Sequence, residues 1–396
     1  MNAPDPRSRP LHILILSDRD WTHPQGGGTG TNLFGQVSRW LAWGHRVTVI
    51  SGTHPGAERV ARPAPGLELH HVGSRLTVFP RAAWEVLARG VGADADVIVE
   101  VINGIAFFTS LWPGLRLPRV VICHHVHQDH YIYELGRRGR AAATVLERLP
   151  LRHLYRETPV LTISRSARDD LVALGVPPGN IHVTYLGVEE QLFEPVARAS
   201  TPTLLYLGRL KQYKRIEVVL DVLARIPEAR LDIAGEGDHE PALRAEISRR
   251  GLGERVTLHG FVDERHKAEL YDRAWVTLTA SSAEGWCLTV MEAAMRATPS
   301  VALPVGGLPE SIVDGETGLL AADPAQLADR VRELIDSPEL RARLGEAARA
   351  RARSFTWDAT AAANLAVIEA AAATDAHPLR RRLRARLVAS RAGRAA

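Results

Sequence analysis

Short apolar runs alternate with segments of helical periodicity along most of the chain. Each run has the length of a strand and is apolar throughout, which is typical of strands buried on both faces of a parallel sheet. The pattern predicts an α/β protein with two parallel-sheet domains that face each other across a cleft. The predicted strands are 11–17, 46–51, 96–101, 119–123, 159–164, 181–185, 203–207, 230–234, 255–258, 274–279 and 300–303.

A break in this pattern marks the predicted domain boundary. Residues 190–202 hold two prolines and no clear periodicity. The sequence therefore predicts an N-terminal domain over residues 1–190, a linker over 191–202 and a C-terminal domain over 203–373, with helices over 337–373. A length of 396 residues suits two domains.

Composition excludes several classes of protein. Apolar residues make up 45% of the chain and charged residues 24%, which is ordinary for a soluble enzyme. A formal net charge of +4 does not call for nucleic acid as a partner. The two cysteines do not form the disulfide framework of a secreted domain, and the N-terminal residues lack the apolar core of a signal peptide. A cytoplasmic enzyme is expected.

The most informative stretch is 281–320. It contains a loop with Glu284 and Gly285, a short predicted helix over 288–296 that carries Glu292, and a second glycine loop at 306–307. Glycines let backbone amides approach an anion, and a helix N-terminus adds about half a positive charge. Ionised carboxylates accept hydrogen bonds from hydroxyl groups. Phosphate flanked by hydroxyls describes a nucleotide-activated sugar.

A second motif, GRLKQYK, follows the predicted strand 203–207. The chain uses arginine almost everywhere for positive charge, and its only lysines are Lys211, Lys214 and Lys267. An ammonium group can donate in any direction, whereas a guanidinium docks as a planar fork. Arg209 and Lys214 together therefore suit a diphosphate. A helix-capping surface loop is the alternative.

The N-terminal half has a glycine run, GGGTG, in a predicted loop over 18–30 that precedes a helix over 31–43. A dinucleotide fingerprint needs a tight strand-to-helix turn and an acidic residue at the end of the next strand. Here the loop is too long and the next strand ends in Ser51-Gly52-Thr53. A nicotinamide oxidoreductase is disfavoured, and we expect a mobile glycine loop at the cleft.

Four histidines follow the predicted strand 119–123, in the sequence HHVHQDH. Imidazole and carboxylate groups are zinc ligands, but the cluster lacks a helical i, i+4 pair, so a metal site is disfavoured. We expect a polar active-site loop with His124 as the leading candidate, because ligands bind at the carboxyl ends of strands in open α/β sheets. The two D-x-D pairs, 18–20 and 94–96, are interpreted as solvated turns.

Two basic segments remain. Residues 137–156 contain seven basic side chains against Glu147 alone, and within the tail over 374–396 the last twenty residues, 377–396, have seven arginines and no acidic residue. The first is either a solvated face or a surface attracted to an anionic membrane or acceptor. The tail is predicted to be disordered, with an amphipathic membrane contact as the alternative. Either membrane contact would place the protein peripherally at the inner face of the membrane.

The chain resembles the retaining nucleotide-sugar glycosyltransferases of family 4, which have the GT-B fold of two Rossmann-like domains. The most specific part is E-x7-E, and GRLKQYK, AGEG and GGLPESIVDGETGLL support it in the same order along the chain. The resemblance implies an acceptor-binding N-terminal domain and a nucleotide-sugar-binding C-terminal domain. It implies metal-independent transfer of a hexose from a nucleoside-diphosphate sugar, UDP- or GDP-linked, to a hydroxyl acceptor with retention of anomeric configuration. The acceptor would be a lipid, a polysaccharide or a small natural product, and no cofactor would be bound.

The resemblance also assigns roles to residues. Arg209 and Lys214 would bind the donor diphosphate, Glu292 the ribose hydroxyls and Glu284 the transferred sugar. Cys287 stands where the family often has glycine, which would narrow the sugar pocket. His124 would touch donor sugar hydroxyls, with His125 as a rival. The remaining donor contacts implied by the family are Gly27, Gly28, Val262, Gly285, Trp286, Cys287 and Leu288.

Two other functions stay open at this stage. A nucleotide-sugar epimerase on a similar fold would consume donor without an acceptor. A non-catalytic nucleotide-sugar-binding module would not need an intact set of charged residues, so the presence of Arg209, Lys214, Glu284 and Glu292 argues against it.

Overall fold

The computed structural model of the chain describes residues 9–127, 131, 136–190 and 192–374, which fold as two α/β units. Unit 1 is formed by residues up to Gly187 together with the segment from Trp357, and unit 2 by Val188–Thr356. The predicted α/β class with parallel sheets is confirmed in both units. His130, Asp129 and the basic tail from residue 375 lie outside the described residues.

The sheet of unit 1 has the strand order β3-β4-β2-β1-β5-β6-β7-β8 in the described residues. Its pairs are parallel except for β3 against β4. The central strand β1 is buried along its whole length, as its unbroken apolar sequence predicts. The strands are His12–Leu16 (β1), Arg46–Ser51 (β2), Val60–Ala64 (β3), Leu67–His71 (β4), Val97–Val101 (β5), Arg119–Ile122 (β6), Val160–Thr162 (β7) and Ile181–Val183 (β8).

The helices of unit 1 flank this sheet. Ser164 shows how local sequence sets their bounds, because its hydroxyl accepts a hydrogen bond from the Ala167 amide and caps the helix that follows. The helices are Gly27–Ala42 (α1), Val78–Leu87 (α2), Arg137–Ala143 (α3), Arg165–Leu174 (α4) and, from the C-terminal end of the chain, Trp357–Thr374 (α12). Short 3-10 and π turns span Thr109–Leu111, Thr144–Arg148, Pro150–Leu154 and Pro178–Asn180.

Unit 2 is built on a sheet with the order β11-β10-β9-β12-β13-β14, parallel throughout. Its strands are Thr203–Leu207 (β9), Arg230–Ala234 (β10), Val256–Gly260 (β11), Val276–Thr279 (β12), Ser300–Ala302 (β13) and Gly318–Leu320 (β14). Its helices are Ile216–Ala224 (α5), Glu240–Arg249 (α6), Glu264–Arg273 (α7), Leu288–Met295 (α8), Leu308–Ser311 (α9), Pro324–Asp336 (α10) and Pro338–Ala352 (α11), with a 3-10 turn at Gln212–Lys214.

The last helix corrects the predicted domain limits. The sequence places residues 203–373 in one C-terminal domain, but α12 belongs to unit 1 and packs on α1. The Trp40 indole donates to the Ala361 carbonyl at 3.0 Å, and the Trp357 ring covers Gly35 so closely that a Cβ there would lie 2.4 Å from it. The boundary itself falls at Gly187, a few residues before the predicted linker.

The described residues contain no helix that combines the length and the apolar character needed to cross a membrane.

Candidate active site

In unit 2, the GRLKQYK motif forms the loop between β9 and α5, and the neighbouring AGEG loop holds it in place. The Leu210 amide donates to the Glu236 carbonyl at 2.8 Å. A Cβ on Gly235 would lie 2.0 Å from the Gly208 carbonyl oxygen, so only glycine permits this approach of the two backbones. The AGEG glycines therefore serve the packing of one loop on another, and that packing positions Arg209 and Lys214.

Lys214 and Glu284 form an ion pair at the end of this loop. The lysine Nζ lies 2.5 Å from Oε1 of Glu284, and the Ser281 hydroxyl donates to the same oxygen at 2.8 Å. Both charged side chains are largely buried. Burial disfavours the ammonium form, but the Glu284 carboxylate, with smaller contributions from Tyr213, Tyr206 and Cys287, more than offsets that effect and raises the pKa of Lys214. The lysine is therefore a fixed positive charge.

Arg209 has the more open position. Its guanidinium donates to the Tyr213 hydroxyl at 3.0 Å, and its backbone carbonyl accepts from the Tyr206 hydroxyl at 3.0 Å. The residue is exposed, whereas Tyr206 is buried. The loop backbone is thus anchored, and the guanidinium is available to an anion.

Glu292 is held by two side chains of α7. Its Oε1 lies 3.0 Å from Lys267 Nζ, and its Oε2 accepts from the Tyr271 hydroxyl at 3.0 Å. Burial opposes the charge of Lys267, but the carboxylates of Glu292 and Glu264 together outweigh that effect and raise the pKa of the lysine. Val262 packs on the same hydrophobic cluster as Tyr271. The sequence did not assign Lys267 or Tyr271 to the site; the rarity of lysine in the chain was the one available signal for Lys267.

The glycine pair at 306–307 was predicted to let backbone amides approach an anion, but in the structure it has a different role. The Gly307 amide already donates to the Glu284 carbonyl at 2.8 Å. A Cβ on Gly306 would lie 2.0 Å from that carbonyl oxygen, and one on Gly307 would lie 2.1 Å from the Gly285 carbonyl oxygen. These glycines let the 306–307 loop support the backbone of Glu284.

The segment from Gly285 to Leu288 leads into α8, which begins at the predicted residue. The Trp286 ring is buried against Phe355, with ring centroids 5.1 Å apart, so only its backbone could face a ligand. Cys287 caps α8 in the left-handed region at φ +71°, which L-residues rarely adopt. Burial and the Glu284 carboxylate raise the pKa of the Cys287 thiol to about 11.

In unit 1, Gly27 and Gly28 are not in a loop, which corrects the prediction. Helix α1 begins at Gly27, four residues before the predicted start, so both glycines lie in its first turn. The loop that starts at Asp18 ends at Gly26, which packs against the backbone of Asp20. A Cβ on Gly26 would lie 2.7 Å from the Asp20 carbonyl oxygen. The amides of a first helical turn have no partners within the helix.

His124 lies beside this helix start. Its Nε2 is in hydrogen-bonding contact with the side-chain NH₂ group of Asn32, and its Nδ1 lies 3.4 Å from the Thr29 hydroxyl. Burial, with a smaller contribution from His127, lowers the pKa of His124 to about 4, so the ring is neutral at pH 7. His125 instead stacks on His127, with ring centroids 4.1 Å apart. Of the two rivals, His124 is therefore the one beside Gly27 and Gly28.

The first D-x-D pair is buried, contrary to the prediction of a solvated turn. Asp20 is fully buried and accepts from the Ser51 hydroxyl at 2.6 Å and from His71 Nε2 at 3.0 Å. Burial raises the pKa of Asp20, but its hydrogen bonds to His71, Ser51 and Thr22 outweigh that effect and lower it. Asp94 of the second pair is exposed, as predicted, and pairs with Arg46. No cluster of three or more potential metal ligands occurs within the described part of the chain.

The site residues of unit 2 thus supply three cations, Arg209, Lys214 and Lys267, and two carboxylates, those of Glu284 and Glu292. Those of unit 1 supply a neutral histidine at a helix N-terminus. Cations stabilise an anionic group, and carboxylates bind hydroxyl groups.

Comparison with known proteins identifies the family. Residues 26–192 match the family model "Glycosyltransferase Family 4", and residues 188–351 match the model "Glycosyl transferases group 1". The chain belongs to glycosyltransferase family 4. Together the two models extend over residues 26–351 of this glycosyltransferase.

Two relatives of this glycosyltransferase match it over nearly its whole length. The glycogen synthase of Mycobacterium tuberculosis is 27% identical over 406 residues, which cover 93% of this chain and 97% of the relative. The GDP-mannose-dependent alpha-(1-6)-phosphatidylinositol dimannoside mannosyltransferase of the same organism is 29% identical over 385 residues, covering 91% and 97%.

A solved structure of similar fold is that of Anabaena HepE in complex with UDP-glucose. It has a TM-score of 0.69 and 16% identity, and the match covers 92% of this chain and 99% of HepE. Likenesses of this kind confirm the predicted GT-B class for the two units.

Proposed function

We propose that this glycosyltransferase moves a hexose from a nucleoside-diphosphate sugar to a hydroxyl acceptor, with retention of anomeric configuration and without a metal ion. The observation that carries the proposal is the pairing of each glutamate of E-x7-E with a lysine: Glu284 with Lys214 and Glu292 with Lys267. A chain with so few lysines has two of them on the two carboxylates that the family motif marks.

The Lys214 pair suits the departure of a diphosphate. Cleavage of the bond between sugar and phosphate leaves negative charge on the leaving oxygen, and preorganised positive charge stabilises that transition state. Lys214 is held in place by Glu284, and Arg209 by Tyr213. These two cations are the proposed partners of the diphosphate, which is why the reaction would need no divalent metal.

The glutamates would divide the hydroxyl groups of the donor between them. Glu292 presents two oxygens, one on Lys267 and one on Tyr271, and an ionised carboxylate has about four acceptor sites. It can therefore accept from the two ribose hydroxyls while it keeps these partners. Glu284 would bind the transferred sugar, and the backbone amides of Gly285–Leu288 would lie near it. Val262, on the cluster that includes Tyr271, would contact the base.

Retention would follow from attack of the acceptor on the face that the leaving group vacates, through an oxocarbenium-like transition state. The departing phosphate oxygen would take the acceptor proton, so no protein base is required. The anomeric configuration of the product, read from its NMR coupling constants, tests this point. An inverted product would refute retention, and loss of activity in EDTA that added Mg²⁺ restores would refute metal independence.

The names of the relatives support two donor bases. One relative is GDP-mannose-dependent, and HepE was solved with UDP-glucose. A thermal-shift series with UDP-, GDP- and ADP-sugars distinguishes them, because a ligand at one hundred times its Kd adds about 2.7 kcal/mol of stability. Stabilisation by none of the three would contradict the proposed donor class.

The reaction type is tested separately with the donor that binds. Transfer to glycan or glycolipid acceptors, or slow hydrolysis to free nucleotide in their absence, is the expected result. Conversion of the donor to an epimer without release of nucleotide would identify an epimerase instead. Binding without either reaction would identify a non-catalytic module.

A lipid acceptor or a membrane-bound acceptor would fit one exposed surface of unit 1. Val145 and Leu149 are exposed, one helical turn apart, and exposed arginines at 148 and 152 flank them. Arginines beside exposed apolar side chains favour an anionic bilayer surface. We propose a peripheral contact there, at the inner face of the membrane. Cosedimentation with phosphatidylglycerol vesicles but not with phosphatidylcholine vesicles is expected, and R148E/R152E should abolish it.

A further inference from the structure

A chain of buried amide side chains ends on His124. Asn364 of α12 donates to Gln36 Oε1 at 2.7 Å, and Gln36 donates to Asn32 Oδ1 at 2.7 Å. Asn32 in turn donates from Nδ2 to His124 Nε2. The exposed fractions of Asn364, Gln36 and Asn32 are 4%, 0% and 1%. Three buried amides in series are expensive to desolvate, so their arrangement needs an explanation.

The amides are aligned in one direction. Each has a carbonyl that accepts and an NH₂ that donates, so fixing one of them fixes the next. The Gln36 Nε2 is also 3.4 Å from the backbone carbonyl oxygen of Asn32, which can only accept. That contact orients Gln36 with its NH₂ towards Asn32. The Asn32 carbonyl oxygen is then occupied, and its NH₂ is directed at the histidine.

A histidine nitrogen that accepts a hydrogen bond carries no proton. Since Nε2 of His124 accepts from Asn32, the neutral ring must hold its proton on Nδ1. That nitrogen is on the side of Thr29, in the first turn of α1 next to Gly28. The low pKa of His124 agrees with a ring that stays neutral.

We propose that Asn32, Gln36 and Asn364 are positioning residues that fix His124 as its Nδ1–H tautomer, so that the ring donates a hydrogen bond to a ligand oxygen at the α1 N-terminus. The proposal deepens the proposed function, because it rests on His124 facing the donor sugar. It excludes a general-base role for this histidine, since the one unprotonated nitrogen is occupied. It also gives α12 a part in the site through Asn364.

The tautomer can be observed in the ligand-free protein by ¹⁵N NMR of the full chain labelled at histidine. His124→Gln assigns the resonances; if that variant does not fold, the ring that shifts in Asn32→Asp identifies them. We expect a protonated, pyrrole-type Nδ1 and an unprotonated, pyridine-type Nε2. A pyrrole-type Nε2 would mean that the amides run in the opposite direction and would overturn the proposal.

Asn32→Asp is the decisive variant because it keeps the shape of the side chain and removes the donor. The new carboxylate can only accept, so His124 should become protonated at Nε2 and titrate at higher pH. Transfer should fall about 10- to 100-fold in kcat, by analogy with the loss that follows removal of the outer-shell partners of metal-bound histidines. Asn180→Asp, at a half-buried amide that donates to the Arg156 carbonyl, is the matched control and should change neither property.

The two readouts separate this proposal from the proposed function. Unchanged ring resonances in Asn32→Asp would refute the positioning role, whatever the activity. If the expected tautomer is observed in a protein without transferase activity, the positioning of His124 by the three amides stands and the proposed transferase function is refuted.

Discussion

Nζ of Lys214 lies 2.5 Å from Oε1 of Glu284, across 70 residues of sequence. Lys211 on the same loop makes a comparable contact, 2.7 Å to Asp238, but at the surface. The two lysines therefore form a matched pair, one placed in the candidate site and one outside it.

Lys214→Ala is expected to lower kcat/KM for transfer roughly 100-fold or more, because it removes a preorganised cation from the leaving group. It also leaves the Glu284 carboxylate largely buried without its counter-ion, which should destabilise unit 2 by about 1 to 3 kcal/mol. Lys211→Ala should stay within about 0.5 kcal/mol and keep its activity. Steady-state kinetics and urea denaturation measure both effects, and equal losses in the two variants would refute the assignment of Lys214.

Glu292→Gln should raise the KM for the donor about 10-fold or more, since a hydrogen bond to a charged group is worth about 1.5 to 3 kcal/mol. The nucleoside diphosphate alone should bind more weakly by a similar factor in calorimetry. Glu346→Gln removes a carboxylate of the same unit that pairs with Arg349 at the surface, and donor binding should be unchanged there. Undiminished affinity in Glu292→Gln would remove this residue from the ribose site.

Gly307→Ala tests the support of Glu284 by the 306–307 loop. A Cβ at this position would lie 2.1 Å from the Gly285 carbonyl oxygen, so the loop must move and Glu284 must move with it. We expect a loss of more than about 2 kcal/mol in stability together with a loss of activity. Gly253→Ala, where a Cβ meets open space, should have little effect on either. Wild-type stability in Gly307→Ala would contradict the close packing of these loops.

Cys287 offers a test of backbone strain. Its φ of +71° is easy for glycine and costs an L-residue about 1 to 2 kcal/mol. Cys287→Gly and Cys287→Ala both remove the thiol, but only glycine relieves the strain. The glycine variant should therefore be the more stable of the two by about 1 kcal/mol in chemical denaturation. Greater stability of the alanine variant would show that the left-handed conformation is not maintained.

His124 predicts a dependence of stability on pH. Its pKa is about 4 in the folded chain and near 6.5 when unfolded, so between these values the unfolded chain binds the extra proton. The stability that the neutral ring contributes is complete above about pH 6.5 and is lost as the pH falls towards 4, a change of about 3 kcal/mol.

The measurement compares the free energy of unfolding of unit 1 at pH 7 and at pH 4.5. His124→Gln should show a smaller loss than the wild type, whereas His153→Gln, at an exposed site, should show the same loss. Identical pH dependence in the wild type and His124→Gln would mean that the ring is protonated in the folded chain.

Sequence patterns predicted the parts of the site that depend on neighbouring residues. The start of α8 at Leu288 and the strand before Arg209 follow from local periodicity and were predicted at their observed positions. Strand β3, in which no residue is fully buried, and its alternating neighbour β4 were missed, because they lack the continuous apolar run of a buried strand. Three glycines in a row indicated a loop. Two of them, Gly27 and Gly28, instead form the start of helix α1, whose first turn forms without side chains at these positions.

Contacts between distant elements could not be predicted in this way. Lys267 and Tyr271 meet Glu292 because α7 and α8 pack into the same hydrophobic cluster, a relationship that no spacing in the sequence encodes. Asp20 looked like a solvated turn because its partner His71 lies at the end of β4, which was itself not predicted. Asn364 is 328 residues from Gln36, and its helix was placed in the wrong domain.

Because α12 belongs to unit 1, it determines the order in which the two units can complete their folding during synthesis on the ribosome. Unit 2 has its whole sequence once Thr356 has emerged, whereas unit 1 still lacks the helix that covers Gly35 and bonds Trp40. Although its first strand is made first, unit 1 can complete its core only after the later unit has been synthesised, in contrast to the usual N-terminal-first order of domains.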